Sequence, residues 1–121
     1  MIKLTFCLRR LPHLSREAFQ RYWREQHAPL VAKHAETLGI LRYVQCHTGH
    51  DALSGAMQGS RGGPDAYDGV AELWFESEAA LAANTSEAAV KAGAELLEDE
   101  KKFIDLANSP LWFGDAFEMV G

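Results

Sequence analysis

Residues 2–48, IKLTFCLRRLPHLSREAFQRYWREQHAPLVAKHAETLGILRYVQCHT, change hydrophobic period twice, and those changes decide the fold. Ile2, Leu4, Phe6 and Leu8 alternate with Lys3, Thr5, Cys7 and Arg9. A period of two means a strand with one apolar face. Leu11 to Leu14 contain Pro12 and read as a turn. Ser15 is a good helix N-cap, followed at helical spacing by Ala18, Phe19, Tyr22, Trp23, Leu30, Val31, His34 and Leu38. Pro29 lacks the N–H that a helix interior needs. A kink is therefore expected near Gln26 to Pro29, with helix resuming to about Leu38 and stopping at Gly39. Ile40 to Thr48 is rich in β-branched and aromatic residues and reads as a second strand.

Downstream, Gly49 to Asp68 is loaded with Gly, Ser and Asp and reads as a long loop. Gly69 to Glu76 reads as a third strand. Ser77 and Ser86 cap two helices, one through about Ala83 and one from Glu87 to about Glu98. Lys101 to Ala107 (KKFIDLA) is expected to be the fourth strand. The order β-α-β-β-α-β is the ferredoxin-like arrangement, an α+β domain with a four-stranded antiparallel sheet. Right-handed crossovers place both helices on one sheet face. Ile2, Leu4, Phe6, Leu8, Val44, Cys46, Ala71, Leu73 and Phe75 are expected beneath them. Thr5, Cys7, Tyr43, Gln45, His47, Val70, Glu72 and Trp74 are expected on the uncovered face. A sheet exposing large aromatics is prone to association, and packing against a second copy removes the problem. The apolar tail, residues 108–121, is expected to pack on that partner. The alternative is a monomer whose tail folds back over its own sheet.

The remaining composition narrows the class. A chain of 121 residues suits one domain, residues 1–121, with an ordinary 47% apolar and 24% charged composition. The net charge of -5 argues against a nucleic-acid or anionic-membrane surface. The opening MIKLTFCLRR alternates and does not read as a signal peptide, and no apolar run is long enough to span a bilayer. Cys7 and Cys46 lie in predicted strands without close spacing, which fits free thiols in a reducing cytoplasm. His47 and His50 are three residues apart but sit at a strand end, with no accompanying metal-site pattern, so no metal is expected. The glycines at 55, 59, 62 and 63 make no phosphate loop, and no cofactor motif is present.

The stretches FQRYWREQHAPLV, LGILRYVQCH, YDGVAELWFES and EDEKKFID together resemble the EthD family, named for ethyl tert-butyl ether degradation. The similarity runs in order from residue 1 to about residue 113, and Tyr-Trp-x-x-x-His-x-Pro-Leu is its most specific part. The resemblance implies a dimeric α/β barrel holding a small molecule, with relatives that include isomerases and dehydratases. The loop HDALSGAMQGSRGGPDAY departs from the family pattern and leaves the substrate open.

Within that frame His27 is the best general acid–base candidate, four residues after Trp23 and on the same helix face. Its alternative is a core histidine bonded to a carbonyl freed by Pro29. Tyr43 and Glu72 are the other expected catalytic groups, if both point into a closed barrel. Tyr22, Trp23, Gln45, His47, Trp74 and Asp105 are expected to contact the ligand. Plain core packing is the competing role for Trp74, and a surface carboxylate the competing role for Glu72. The leading expectation is cofactor-free acid–base chemistry on a small oxygenated or aromatic molecule. An oxidative role in ether degradation and a non-catalytic binding module are the alternatives.

Overall fold

The computed structural model describes all 121 residues. Its core is a four-stranded antiparallel sheet in the order β2-β3-β1-β4, with β1 at Ile2–Leu8, β2 at Arg42–His47, β3 at Gly69–Phe75 and β4 at Leu111–Asp115. Between β1 and β2 runs one continuous helix in three parts. These are α1 (Arg16–Tyr22), a wide π-helical turn (Trp23–His27) and α2 (Ala28–Leu38). Ser15 caps it by accepting from the Ala18 N–H. Gly39 ends it at φ +74°, a left-handed position where a side chain would be strained. The kink expected near Pro29 takes the form of the π turn. Pro29 offers no N–H to the helix ladder, and the wide turn lets Ala28 N–H bond the Trp23 carbonyl instead.

The loop expected at residues 49–68 is corrected in part. Asp51–Ser60 forms a helix, α3, held at its start by the Arg16–Asp51 ion pair. Helices α4 (Glu78–Ala83) and α5 (Glu87–Glu100) follow β3, capped by Ser77 and Ser86. Helix α5 runs farther than expected, and Lys101–Phe103 form a turn at its end. KKFIDLA is therefore not the fourth strand. Ile104 makes only a single bridge to Arg10, and the edge of β1 is taken by β4 from the tail. Residues 111–115 of the segment expected to pack on a partner thus complete this chain's own sheet.

A second correction concerns β2. Tyr43 opposes Leu73 and Gln45 opposes Ala71, so both lie on the helix-covered face. Val44 and Cys46 oppose Glu72 and Val70 on the open face. In a strand, moving the pleat by one residue exchanges every side chain between faces. The apolar rule favoured Val44 and Cys46 inside. The polar side chains win the buried face because the π turn supplies partners for them.

The core lies between sheet and helices, where Trp23, Phe19, Phe103 and Leu8 are almost wholly buried with Phe6, Ala71 and Ile104. Burying each large side chain contributes about 1.5–3 kcal/mol. Gly69 allows this packing, since a Cβ there would collide with the Trp23 ring and sit 3.1 Å from the Cys46 carbonyl. No helix is long and apolar enough to cross a membrane.

Candidate functional site

A cavity of about 250 Å³ lies between the sheet and the helices. Fifteen of its 17 lining residues are hydrophobic, and the two that are not are His27 and Glu100. Tyr43 joins them on the wall from β2, and Trp23 from the π turn. A mostly apolar pocket with a few convergent polar groups is the ordinary form of a small-molecule site.

His27 is the last residue of the π turn and is 5% exposed. Its Nδ1 lies 2.7 Å from Asp99 Oδ2. Tyr22 Oη donates to the other oxygen, Asp99 Oδ1, at 2.6 Å. Burial pushes the Asp99 carboxyl up, but the bonds from Tyr22 and His27 outweigh it and hold the group below its ordinary value. An ionised carboxylate only accepts. The His27 proton therefore sits on Nδ1, and Nε2 carries a free lone pair. No group of the chain bonds Nε2, and the ring lines the cavity. Burial lowers the His27 pKa from 6.5, with Asp99 opposing the shift, so the ring is neutral at pH 7. Phe103 packs against both rings of this network, 5.1 Å from His27 and 5.0 Å from Tyr22.

Glu100 has the opposite character. Burial, with a smaller push from the Asp99 charge, raises its carboxyl to about 7. At neutral pH a substantial fraction carries a proton. The cavity thus presents a neutral imidazole able to take a proton and a carboxyl able to give one.

A third group of contacts supports the wall on the β2 side. Gln45 Nε2 donates to the Trp23 carbonyl at 3.0 Å and to Tyr43 Oη at 2.7 Å. Gln45 Oε1 lies 2.7 Å from His47 Nε2. The His47 ring stacks on Trp23 at 4.5 Å between centroids. Its Nδ1 is buried without a partner.

The expected site residues divide into two sets. His27, Tyr43 and Trp23 line the cavity, while Tyr22, Gln45 and His47 sit behind them as hydrogen-bonding support. Glu72 and Trp74 do not join them. They lie on the open face, Glu72 paired with Lys3 Nζ at 2.5 Å and Trp74 next to Arg42 at 4.7 Å. Asp105 is also outside, accepting from Asn108 Nδ2 at 2.8 Å beyond the end of α5. The enclosure itself is corrected: these groups face a cavity within one chain, between its sheet and helices, and not the interior of a closed barrel. Asp99 and Glu100 were not foreseen, because the expected helix ends at about Glu98 and the expected strand begins at Lys101, which leaves both residues between elements. A signal was present. Acids in the last turn oppose the helix macrodipole, so a Glu-Asp-Glu run there asks for another reason. No group of three or more His, Cys, Asp or Glu side chains is arranged to hold a metal ion.

A family model for the EthD domain matches residues 11–107. The fold is similar to that of an ethyl tert-butyl ether degradation (EthD) family protein from Bacillus halodurans, at 19% identity and a TM-score of 0.61, covering 97% of this chain and 99% of that one. It is similar to HapK from Hahella chejuensis at 12% identity and a TM-score of 0.61, covering 100% and 96%. An EthD-like protein from Ralstonia eutropha has 17% identity and a TM-score of 0.59, covering 98% and 92%. At these identities the structural likeness speaks to fold. None of the curated proteins matches.

Proposed function

We propose, for a chain that belongs to the EthD family, that the cavity binds a small oxygenated organic molecule and that His27 and Glu100 carry out acid–base chemistry on it. One observation carries the reading: the only two non-hydrophobic side chains on the cavity wall are a base and an acid with shifted proton affinities. His27 removes a proton through Nε2. Asp99 holds the ring in the required tautomer and stabilises the imidazolium that forms. Glu100 returns a proton at a second atom. Removal from one atom and return to another is an isomerisation. Return to a departing hydroxyl is a dehydration. The volume of about 250 Å³ sits below the ~300–1,000 Å³ of sites for drug-sized ligands, so the ligand is small, on the scale of one substituted ring.

Two copies are proposed to pack through their open sheet faces. Support comes from Val44, Cys46, Val70 and Trp112, which share that face uncovered by any helix, with Trp112 51% exposed. A reducing compartment such as the cytoplasm suits the two free cysteines.

The test uses acetophenone, a one-ring ketone, in deuterated buffer, with methyl-proton exchange followed by NMR. Exchange faster than in buffer, lost in His27→Ala at unchanged circular dichroism, supports the reading. Binding without accelerated exchange reduces the protein to a binding module. Absence of binding removes the cavity as a ligand site.

A further inference from the structure

The two hydrogens on Gln45 Nε2 define the kind of atom that a ligand presents to this cavity. Their directions follow from chemistry alone. The Trp23 carbonyl only accepts, so the Gln45 atom 3.0 Å from it is the amide nitrogen. The side chain therefore cannot be turned the other way round without setting oxygen against oxygen. Ala28 N–H occupies the first lone pair of that carbonyl through the π turn, and Gln45 occupies the second. The other amide hydrogen goes to Tyr43 Oη at 2.7 Å. Oε1 then accepts from His47 Nε2 at 2.7 Å, which puts the His47 proton on Nε2. Burial, with a smaller contribution from Arg24, lowers the His47 pKa and keeps that ring neutral.

Tyr43 Oη is thus an acceptor toward the protein. It has one proton of its own and bonds no acceptor of the chain with it. The phenol is held neutral, since burial raises its pKa. The ring lines the cavity. A ligand in that cavity is the partner left for the proton.

We propose that Gln45 is a positioning residue that commits the Tyr43 hydroxyl to donate into the cavity, so that the ligand binds through an acceptor oxygen, the carbonyl of a small aromatic or alicyclic ketone or lactone. This rests on the acid–base reading above and narrows it. His27 Nε2 accepts and Tyr43 Oη donates. A carbonyl compound with an adjacent C–H satisfies both. The C–H bond breaks as an N–H bond forms on His27. The electron pair passes into the carbonyl to give an enolate, whose oxygen Tyr43 stabilises by its hydrogen bond. Return of a proton to carbon regenerates the ketone. Three residues of β2 and one backbone carbonyl of the π turn thus set the ligand's polarity, and only Tyr43 among them touches it.

The experiment reads the hydrogen bond itself. Carbonyl-¹³C acetophenone is bound to the full-length protein, and its carbonyl stretch is recorded by isotope-edited infrared spectroscopy. In the wild type the band is expected at lower frequency than in hexane. Tyr43→Phe is expected to lose the shift and to weaken binding about fivefold, the effect of one neutral hydrogen bond. Gln45→Leu keeps the phenol but frees it to turn, and is expected to give a smaller or broadened shift at unchanged circular dichroism. Should Gln45→Leu not fold, the wild type and Tyr43→Phe still decide. A bound carbonyl at its hexane frequency in the wild type, or a shift unchanged in Tyr43→Phe, overturns the proposal while leaving the proton-exchange reading intact. No binding of acetophenone overturns both.

Discussion

Replacing Glu100 with Gln is expected to stabilise the protein at alkaline pH and to do little at acid pH. The carboxyl moves from 4.5 in the unfolded chain to about 7 in the folded one, chiefly through burial. Because the folded value is raised, the folded state holds the extra proton. The associated stability is fully present below about pH 4.5 and is lost as the pH rises through about 7. At about 1.36 kcal/mol per pH unit the whole displacement is worth ~3 kcal/mol, of which ~2.5 kcal/mol falls between about pH 5 and 8. Gln is close in shape to a protonated Glu and never ionises. The difference in unfolding free energy between Glu100→Gln and wild type should therefore grow by ~2.5 kcal/mol, in favour of the variant, from pH 5 to pH 8. Against a typical total of 5–15 kcal/mol this is a large fraction.

The assay is urea unfolding at four pH values and one protein concentration, since association would make the midpoint concentration-dependent. Taking the difference at each pH cancels every other titrating group. His27 needs that cancellation, because its folded pKa is lowered from 6.5 and its stability is lost as the pH falls below that value, the reverse sense. A difference that stays constant from pH 5 to 8 would mean Glu100 titrates normally. Its assignment as the cavity's acid would go with it.

Four further outcomes are expected. Asp99→Asn removes the carboxylate that fixes the His27 tautomer, and should slow acetophenone proton exchange about a hundredfold with little loss of binding. Tyr22→Phe deletes the 2.6 Å bond to Asp99 and should cost about 1.5–3 kcal/mol in urea unfolding, since the acceptor is charged. Gly69→Ala forces the Trp23 ring from its seat on the cavity wall; a loss of about 1–3 kcal/mol, with weakened acetophenone binding, is expected by denaturation and calorimetry. Trp112→Asp puts a charge on the open sheet face and should shift a two-copy assembly toward monomer by sedimentation velocity, whereas an unchanged sedimentation coefficient would point away from that face as the interface.

The sequence made the α+β order, the Ser caps, the Gly39 stop and the helix break near Pro29 legible, because each has a local cause. The fourth strand was misplaced for a non-local reason. Phe103 and Ile104 give KKFIDLA the look of a strand, but α5 runs on to Glu100, Lys101–Phe103 turn at its end, and Ile2 to Phe6 of β1 pair with Leu111–Asp115 instead. The pleat of β2 failed similarly. RYVQCH fits either phase by composition, and the choice depends on a carbonyl in another element, that of Trp23. Glu72 and Trp74 entered the expected site only because β2 was paired with them in the wrong phase.

The β2 pleat and the placing of His27 against Asp99 share a source in the π turn. A regular helix through Trp23 and Pro29 would leave no wide turn for Ala28 to bond into and would rotate His27 relative to Asp99. The extra residue turns His27 toward α5 and sets the Trp23 carbonyl where Gln45 caps it. The same local irregularity therefore orients the base through one neighbour and the Tyr43 hydroxyl through another. A π turn costs hydrogen-bond geometry, and its persistence here is explained by what its two ends hold in place. Removing the cause should disturb both roles at once. Pro29→Ala restores an N–H and permits a regular helix, which should disturb the His27–Asp99 bond and the Gln45–Trp23 bond together while leaving the strands paired. Amide NMR shifts confined to the π turn, α5 and β2 would show that coupling; shifts confined to the turn alone would show that the irregularity is local and the two halves of the site stand independently.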